Sequence, residues 1–392
     1  MKDLSAHFSH FLEHNPLHFA AHSHHLWPDV SLEAQTTCWQ NAAVLADHKW
    51  AKIFNDVLPT AQKHISHTLK TDDPCAICFA SNTHELVTKV IFTLIEYKYK
   101  SGALPLKILT TDSEFHSFSR QLRRLEESGF VEAYIAPTQP FKDFAQRFER
   151  AGREGDFDLV YFSHVFFNSG FMVPDVAELA ANLAKPETIV MVDGYHAFMA
   201  RPVDWSAAQD KAFYLSGGYK YAMAGEGVCF MHCPKNILPR PLITGWFAAF
   251  DALESGNDDI PYPAHGGRFM GSTFDPVGLY RLNAVFAFLQ TQGIAVADTH
   301  AHVQTLQEQF IDGLKSLNHP DLNPTNLLVN DPELQRGNFL AFEAPQAAHL
   351  YAQLHKKGIT TDYRGNTLRF GFGVYHTPQS IECLLAELKR LA

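Results

Sequence analysis

The chain has 392 residues, 46% of them hydrophobic and 19% charged, which is enough for two lobes around a large core of ordinary globular composition. A formal charge of −10 argues against an electrostatic footprint for nucleic acid. No apolar run reaches the length of a membrane span, and the opening MKDLSAHFSHFLEHN lacks an apolar signal core, so the expected compartment is the cytoplasm.

Residues 1–30 read as an N-terminal arm that closes at Trp27-Pro28, and a helical pattern follows from about 31 to 68. Strands and helices then alternate. AICFA (76–80) is a predicted strand, and the next helix, from Thr83 to Tyr97, aligns Leu86, Val90, Leu94 and Tyr97 on one face. LKILTT (106–111) is a strand before a helix over 119–128. VEAYIA (131–136), FDLVYFS (157–163), TIVMVD (188–193), AFYLS (212–216) and GVCFMH (227–232) continue the series. Short β-rich runs separated by helical segments predict an α/β fold with a mostly parallel sheet covered by helices on both faces. Such sheets gather ligands at the carboxyl ends of their strands. The stretch from Ser255 to Phe274, rich in Gly, Pro and Asp, reads as a loop at the lobe junction. Helical segments at 279–292 and 295–317 then lead into a smaller α+β portion, with strands at 338–344 and 368–375, a helix from Gln346 and a closing helix from Pro378.

Six cysteines, at 38, 75, 78, 229, 233 and 383, are expected as reduced thiols, since the Cys75/Cys78 pair has no second pair at zinc-ribbon spacing. His22, His24 and His25 in AAHSHHLWP invite a metal, yet no matched ligand motif accompanies them. A pocket-lining role is expected there, and no metal.

Two residues carry the chemistry. Asp193 ends ETIVMVDGYHAF and Lys220 lies in AFYLSGGYKYAMAGEG, each just past an apolar run. A carboxylate and a lysine delivered from adjacent strand ends suit pyridoxal phosphate: the lysine forms a Schiff base, and the carboxylate keeps the pyridine nitrogen protonated. The spacing alone is equally met by a buried ion pair and a surface lysine. Asn82 and Thr83 open a helix directly after a strand, where free N–H groups attract an anion, although a cap with no ligand has the same pattern. Phe115, at a strand end between polar residues, reads as a ring-stacking group or as plain core.

With these residues placed, the chain resembles class V (fold type I) pyridoxal-phosphate-dependent enzymes of the aminotransferase superfamily, and within them kynureninase. VDGYHAF, GYKYAMAGEG and GWF occur in that order over 193–247, with weaker echoes in AAHSHHLWP, RGNFLAF and TDYRGNTLRFGFGVYHT. The resemblance implies a large cofactor-binding domain at 56–275, a small C-terminal domain at 276–392, and an N-terminal arm and helix at 1–55. It implies Lys220 and Asp193 as catalytic residues. It also implies Asn82, Thr83, Phe115, Asn168, His196, Tyr219, Ser272 and Thr273 as further cofactor contacts, the last two reaching the phosphate of a neighbouring subunit in a homodimer. Arg369 is implied to bind the substrate α-carboxylate as a bidentate fork, with Arg364 a nearby competitor, and Trp246, Ser23 and His24 to line the substrate pocket.

Three departures fall on the substrate machinery. Asn168 in FFNSG stands where kynureninases have a tyrosine, Phe118 stands where an aspartate is expected, and AHSHHL replaces a GNSxGL-like segment while keeping Ser23. The expected function is an enzyme acting on an α-amino acid, either a kynureninase-like hydrolase cleaving a Cβ–Cγ bond of an aryl-keto amino acid or a class V aminotransferase or related lyase. Cysteine desulfurization is disfavoured because 284–382 holds no cysteine for a mobile loop.

Overall fold

The computed structural model describes residues 1–235, 237, 240–248, 259–317 and 319–391, so residues 255–258 of the predicted junction loop lie outside the described residues. Seven strands form the main sheet: β1 (Ile77–Ala80), β2 (Leu106–Thr111), β3 (Val131–Ala136), β4 (Leu159–Ser163), β5 (Ile189–Asp193), β6 (Phe213–Gly217) and β7 (Cys229–His232). Their order is β1-β7-β6-β5-β4-β2-β3, and only β7 runs antiparallel to its neighbours. β4 and β6 are buried along their whole length, as central strands covered on both faces must be. β3 closes the edge with mostly solvent-facing side chains, Glu132 among them. The register places Ser163 of β4 opposite Asp193 of β5, and Asp193 opposite Leu215 of β6, so three strand ends finish nearly level.

Among the covering helices, α3 (Thr83–Lys100) buries Leu86, Val90 and Leu94 of the face its sequence predicts, together with Val87 and Ile91, whereas Tyr97 of that face is exposed near the helix end. α4 (His116–Glu127) buries Phe118, Leu122 and Leu125. Phe118 stacks on Tyr161 of β4 with ring centroids 3.7 Å apart, so the expected aspartate position is filled by core packing. Two helices not anticipated from sequence, α5 (Phe144–Glu154) and α6 (Val176–Leu183), complete the crossovers on either side of β4.

The predicted helix over 31–68 is a broken one. α1 (Val30–Leu45) stops at Ala46, whose φ of +46° leaves the helical region. A π-helical turn at Ile53–Val57 then precedes α2 (Leu58–Leu69). Pro59 has no N–H to offer the turn before it and its ring crowds that turn, which fits the widened winding there.

Helices α7 (Val277–Gln292) and α8 (Val296–Leu317) lead to the second, three-stranded antiparallel sheet of β8 (Phe339–Glu343), β9 (Asp362–Arg364) and β10 (Thr367–Gly371), ordered β9-β10-β8. It has its own core, with Phe310, Leu314, Phe342, Leu354, Phe370 and Leu384 fully or nearly fully buried. The helices α9 (Ala347–Lys356) and α10 (Pro378–Leu391) flank it. The N-terminal arm returns to this lobe: Leu17–His18 pairs in parallel with Ile359–Thr360. No helix among the described residues is long and apolar enough to cross a membrane.

Candidate active site

A cavity of about 260 Å³ opens at the carboxyl ends of β4, β5 and β6. Asp193 and Lys220 both line it and both are buried. The Asp193 carboxylate accepts from the Tyr195 N–H at 2.9 Å and from the Tyr161 hydroxyl at 3.1 Å. Burial pushes its pKa up, against the pull of those donors and of Lys220. It forms no ion pair with a cation among the described residues.

Lys220 follows the turn after β6. Gly218 allows that turn, since a Cβ there would come within 2.5 Å of Val228 Cγ1 and 2.8 Å of the Gly225 carbonyl oxygen. The Lys220 Nζ is 2.7 Å from His196 Nε2 and lies 4.8 Å from the Tyr195 ring centroid and 5.6 Å from that of Phe115. Burial lowers its pKa to about 7, with Asp193 opposing and Arg369 adding to the fall. His196 is held neutral, first by burial and then by the neighbouring Lys220 cation.

One side of the cavity is built by the start of α3. Asn82 caps that helix by accepting from the Glu85 N–H at 2.9 Å, and Thr83 is its first residue. Ser81, Asn82 and Thr83 line the cavity where this helix begins, and the Thr83 N–H is engaged with Cys229. Phe115, at the head of α4, is 36% exposed and stands edge-on to Phe167. Tyr219 packs between Tyr195 and the exposed ring of His24.

Of the sequence-predicted residues, Asn82, Thr83, Phe115, Asp193, His196, Tyr219 and Lys220 come together around this cavity. The others do not line it. Asn168 turns away and donates from Nδ2 to Ser113 Oγ at 3.0 Å, because the neighbouring Phe167 takes the cavity wall. Arg369 lies behind that wall, donating to the Phe167 carbonyl and ion-paired with Asp362. Arg364 pairs with the same carboxylate at 2.8 Å. Burial alone would raise the pKa of Asp362, but His22, Arg369 and Arg364 together pull it down to about 2. Ser23 contacts His24, with Oγ 3.3 Å from its Nδ1, outside the cavity. Trp246 donates from its indole to Thr273 Oγ1 at 3.2 Å, on a surface apart from the cavity together with Ser272. His22 and His25 are fully buried, and burial lowers the pKa of each to about 3.

Sequence reasoning missed Glu114, Ser163, Phe167, Tyr195 and Cys229. Glu114 accepts from the hydroxyls of Ser163 and Thr111, each at 2.6 Å, and burial raises its pKa to about 8. Its placement beside Phe115 was the available signal. Cys229 lines the cavity floor with its Sγ 3.3 Å from the Tyr195 hydroxyl.

Pyridoxal phosphate fits this donor set. A buried carboxylate with no ion pair among the described residues suits a ring N–H, a buried amine of lowered pKa suits an aldehyde, and a helix start suits a phosphate.

The comparisons agree. A family model for aminotransferase class-V matches residues 28–384. A kynureninase from Deinococcus radiodurans is 25% identical over 261 residues, covering 62% of this chain and 57% of that protein's own length. A cysteine desulfurase from Vibrio cholerae is 21% identical over 366 residues, covering 88% of this chain and 83% of its own. A solved structure described as a C-DES variant with glycine covalently linked to the pyridoxal phosphate cofactor superposes with a TM-score of 0.80 at 18% identity, covering 96% of this chain and 98% of that one.

Proposed function

The chain belongs to the aminotransferase class-V family of pyridoxal-phosphate-dependent enzymes, and on that premise we propose that it is a kynureninase-like hydrolase acting on an aryl-keto α-amino acid. The observation that carries this reading is the aromatic wall between the cofactor side and the carboxylate-binding side. Phe167 stands edge-on to Phe115 and also lies against the Arg369 guanidinium, 5.9 Å from its ring centroid. A substrate side chain spanning those two points meets aromatic surface, which suits an aryl group.

Bound in the cavity, pyridoxal phosphate supplies an aldehyde and an electron-accepting ring. Asn82, Thr83 and Tyr219 would hold its phosphate, and Phe115 would pack against its ring. Asp193 keeps a proton at the ring nitrogen. Its buried carboxylate has two donors and no ion pair among the described residues, which leaves it able to face that atom. Lys220 Nζ takes the proton from the substrate α-carbon, since an amine with pKa near 7 is substantially neutral at working pH. His196 Nε2 orients that amine. Arg369 would hold the substrate carboxylate, its guanidinium lying 5.9 Å from the Phe167 ring centroid at the edge of the cavity wall.

A second reading, a class V aminotransferase, is favoured by one observation. Asn168 offers no proton donor where the resembled family has a phenol, and its amide is engaged by Ser113. Desulfurization needs an accessible thiolate. All six cysteines are free, but only Cys229 lines the cavity, and burial pushes its pKa up to about 12. We further propose a homodimer, with Ser272 and Thr273 reaching the cofactor phosphate of the neighbouring subunit.

The test is incubation of cofactor-loaded protein with L-kynurenine and 3-hydroxykynurenine. Anthranilate-type products support the hydrolase. Their absence, with the lysine-bound cofactor absorbance intact, transfers the assignment to the aminotransferase. Lys220→Ala should abolish both turnover and that absorbance, and an active Lys220→Ala enzyme overturns the scheme.

A further inference from the structure

A second cavity, of about 510 Å³, lies between the start of α6, the segment from Arg201 to Ala207, and Gln335. It backs onto the first. The side chain of Ser163 at the end of β4 serves the cofactor cavity, and the next residue, His164, lines the second, as strand alternation dictates.

The inner wall carries two polar groups with poor partners. His164 is 4% exposed, and its Nδ1 has no hydrogen-bond partner among the described residues. Arg201 is half-buried. It donates to Gln335 Oε1 at 3.0 Å and otherwise contacts Met172 Sδ, a weak acceptor, and forms no ion pair among the described residues. A half-buried guanidinium with no carboxylate partner is well suited to accept one from a ligand. The first turn of α6 adds N–H groups, because Asp175 at its head makes no side-chain cap.

The rim has the opposite sign. Asp175 and Glu178 are exposed there, whereas Asp204 is already paired with Lys70 at 3.0 Å. A simple anion would meet Arg201 but be repelled at the rim, and a simple amine the reverse. A ligand carrying both charges satisfies both ends. We propose that this cavity binds a free α-amino acid, with its carboxylate on Arg201 and His164 and its ammonium at Asp175 and Glu178. The occupant lies one residue from the catalytic strand ends: the His164 N–H donates to the Asp193 carbonyl at 2.8 Å. The site is an effector pocket, and it stands whichever reaction the first cavity runs.

Borohydride reduction of the cofactor-loaded protein fixes the cofactor on Lys220 and closes the first cavity to amine exchange. Calorimetric titration of this protein with the twenty common L-amino acids, and with acetate and methylamine as single-charge probes, reads the second site. The expected result is one remaining site per subunit for at least one amino acid, with acetate and methylamine at least about tenfold weaker. Arg201→Ala should weaken that binding by about tenfold or more, the loss of a charge-assisted contact. The reduced cofactor's absorbance reports that the variant is folded. Glu178→Gln, at an exposed position, should weaken the amino acid but not acetate. No binding by any amino acid, acetate binding as tightly as the amino acids, or affinities unchanged in both variants overturns the proposal.

Discussion

The protonation of Lys220 before the cofactor arrives can be tested directly. Burial takes this amine from 10.5 to about 7. At about 1.4 kcal/mol per unit, the cationic form is disfavoured by roughly 5 kcal/mol, and the neutral amine at pH 7 is enriched on the order of a thousandfold over a surface lysine. The sign of the linkage follows. In the unfolded chain Lys220 stays protonated up to 10.5, so its destabilising contribution to the cofactor-free fold is fully present below about 7 and fades as pH rises toward 10.5. Only the neutral amine attacks an aldehyde. The assay is stopped-flow uptake of pyridoxal phosphate by cofactor-free protein, followed by the lysine-bound absorbance from about pH 5.5 to 9.5. The rate constant should rise about tenfold per unit at the acid end and level off near pH 7. Asp193 opposes the fall, so Asp193→Asn should move the plateau to lower pH. A rate still climbing tenfold per unit through pH 9, or a plateau that moves upward in Asp193→Asn, refutes the reasoning.

His22, His25, His164 and His376 are all held neutral by burial, each with a pKa of about 3. The unfolded chain takes up protons below 6.5 and the fold does not, so stability drains as pH falls from 6.5 toward 3. At pH 5.5 the four together cost about 5 kcal/mol, or about 6 °C of Tm for a chain of this size, and a Tm unchanged by calorimetry between pH 7 and 5.5 contradicts the assignment. Arg369→Ala removes one of the two arginines paired with the Asp362 carboxylate, and Arg364 remains at 2.8 Å. It should cost about 1–3 kcal/mol in urea unfolding and raise KM for α-carboxylate substrates by about 10²-fold. An unchanged KM moves the carboxylate role to Arg364. Glu114→Gln keeps the shape and the hydrogen-bonding capacity of a protonated acid, so kcat near neutral pH should change less than about threefold, whereas a loss of a hundredfold would mean that Glu114 works as an anion.

The sheet was legible because its strands are short, apolar and regularly interrupted, and Asp193 and Lys220 were legible because each ends such a run. Asn82 was legible through local cap chemistry, which needs only its own helix. What stayed hidden depends on distant partners. Ser163 and Glu114 meet across 49 positions, and no local pattern announces that contact. Asn168 shares its motif position with a family site, yet its rotamer is set by Ser113, 55 residues away. Arg369 carries the expected charge, but Asp362 and the Phe167 carbonyl, which fix its place behind the wall, belong to two different lobes. The 31–68 segment misled because apolar periodicity survives the break at Ala46 and the π-turn before Pro59.

Phe118 and Glu114 together explain how the cavity floor can differ from the resembled family and still serve the cofactor. A carboxylate at position 118 would give the Asp193 environment another negative charge. The phenyl ring instead stacks on Tyr161, and that stack aims the tyrosine hydroxyl at Asp193. Glu114 could have supplied the extra charge, but burial raises its pKa to about 8 and Asp193 contributes to the same shift. Two acids in one low-dielectric site are thereby driven apart, one holding its proton and the other free to face the ring nitrogen. Lys220 then faces Asp193 as its main counter-charge, with Asp362 opposing the fall in its pKa less strongly. A further carboxylate beside it would stabilise its cation and take away the neutral amine that both cofactor capture and proton removal require.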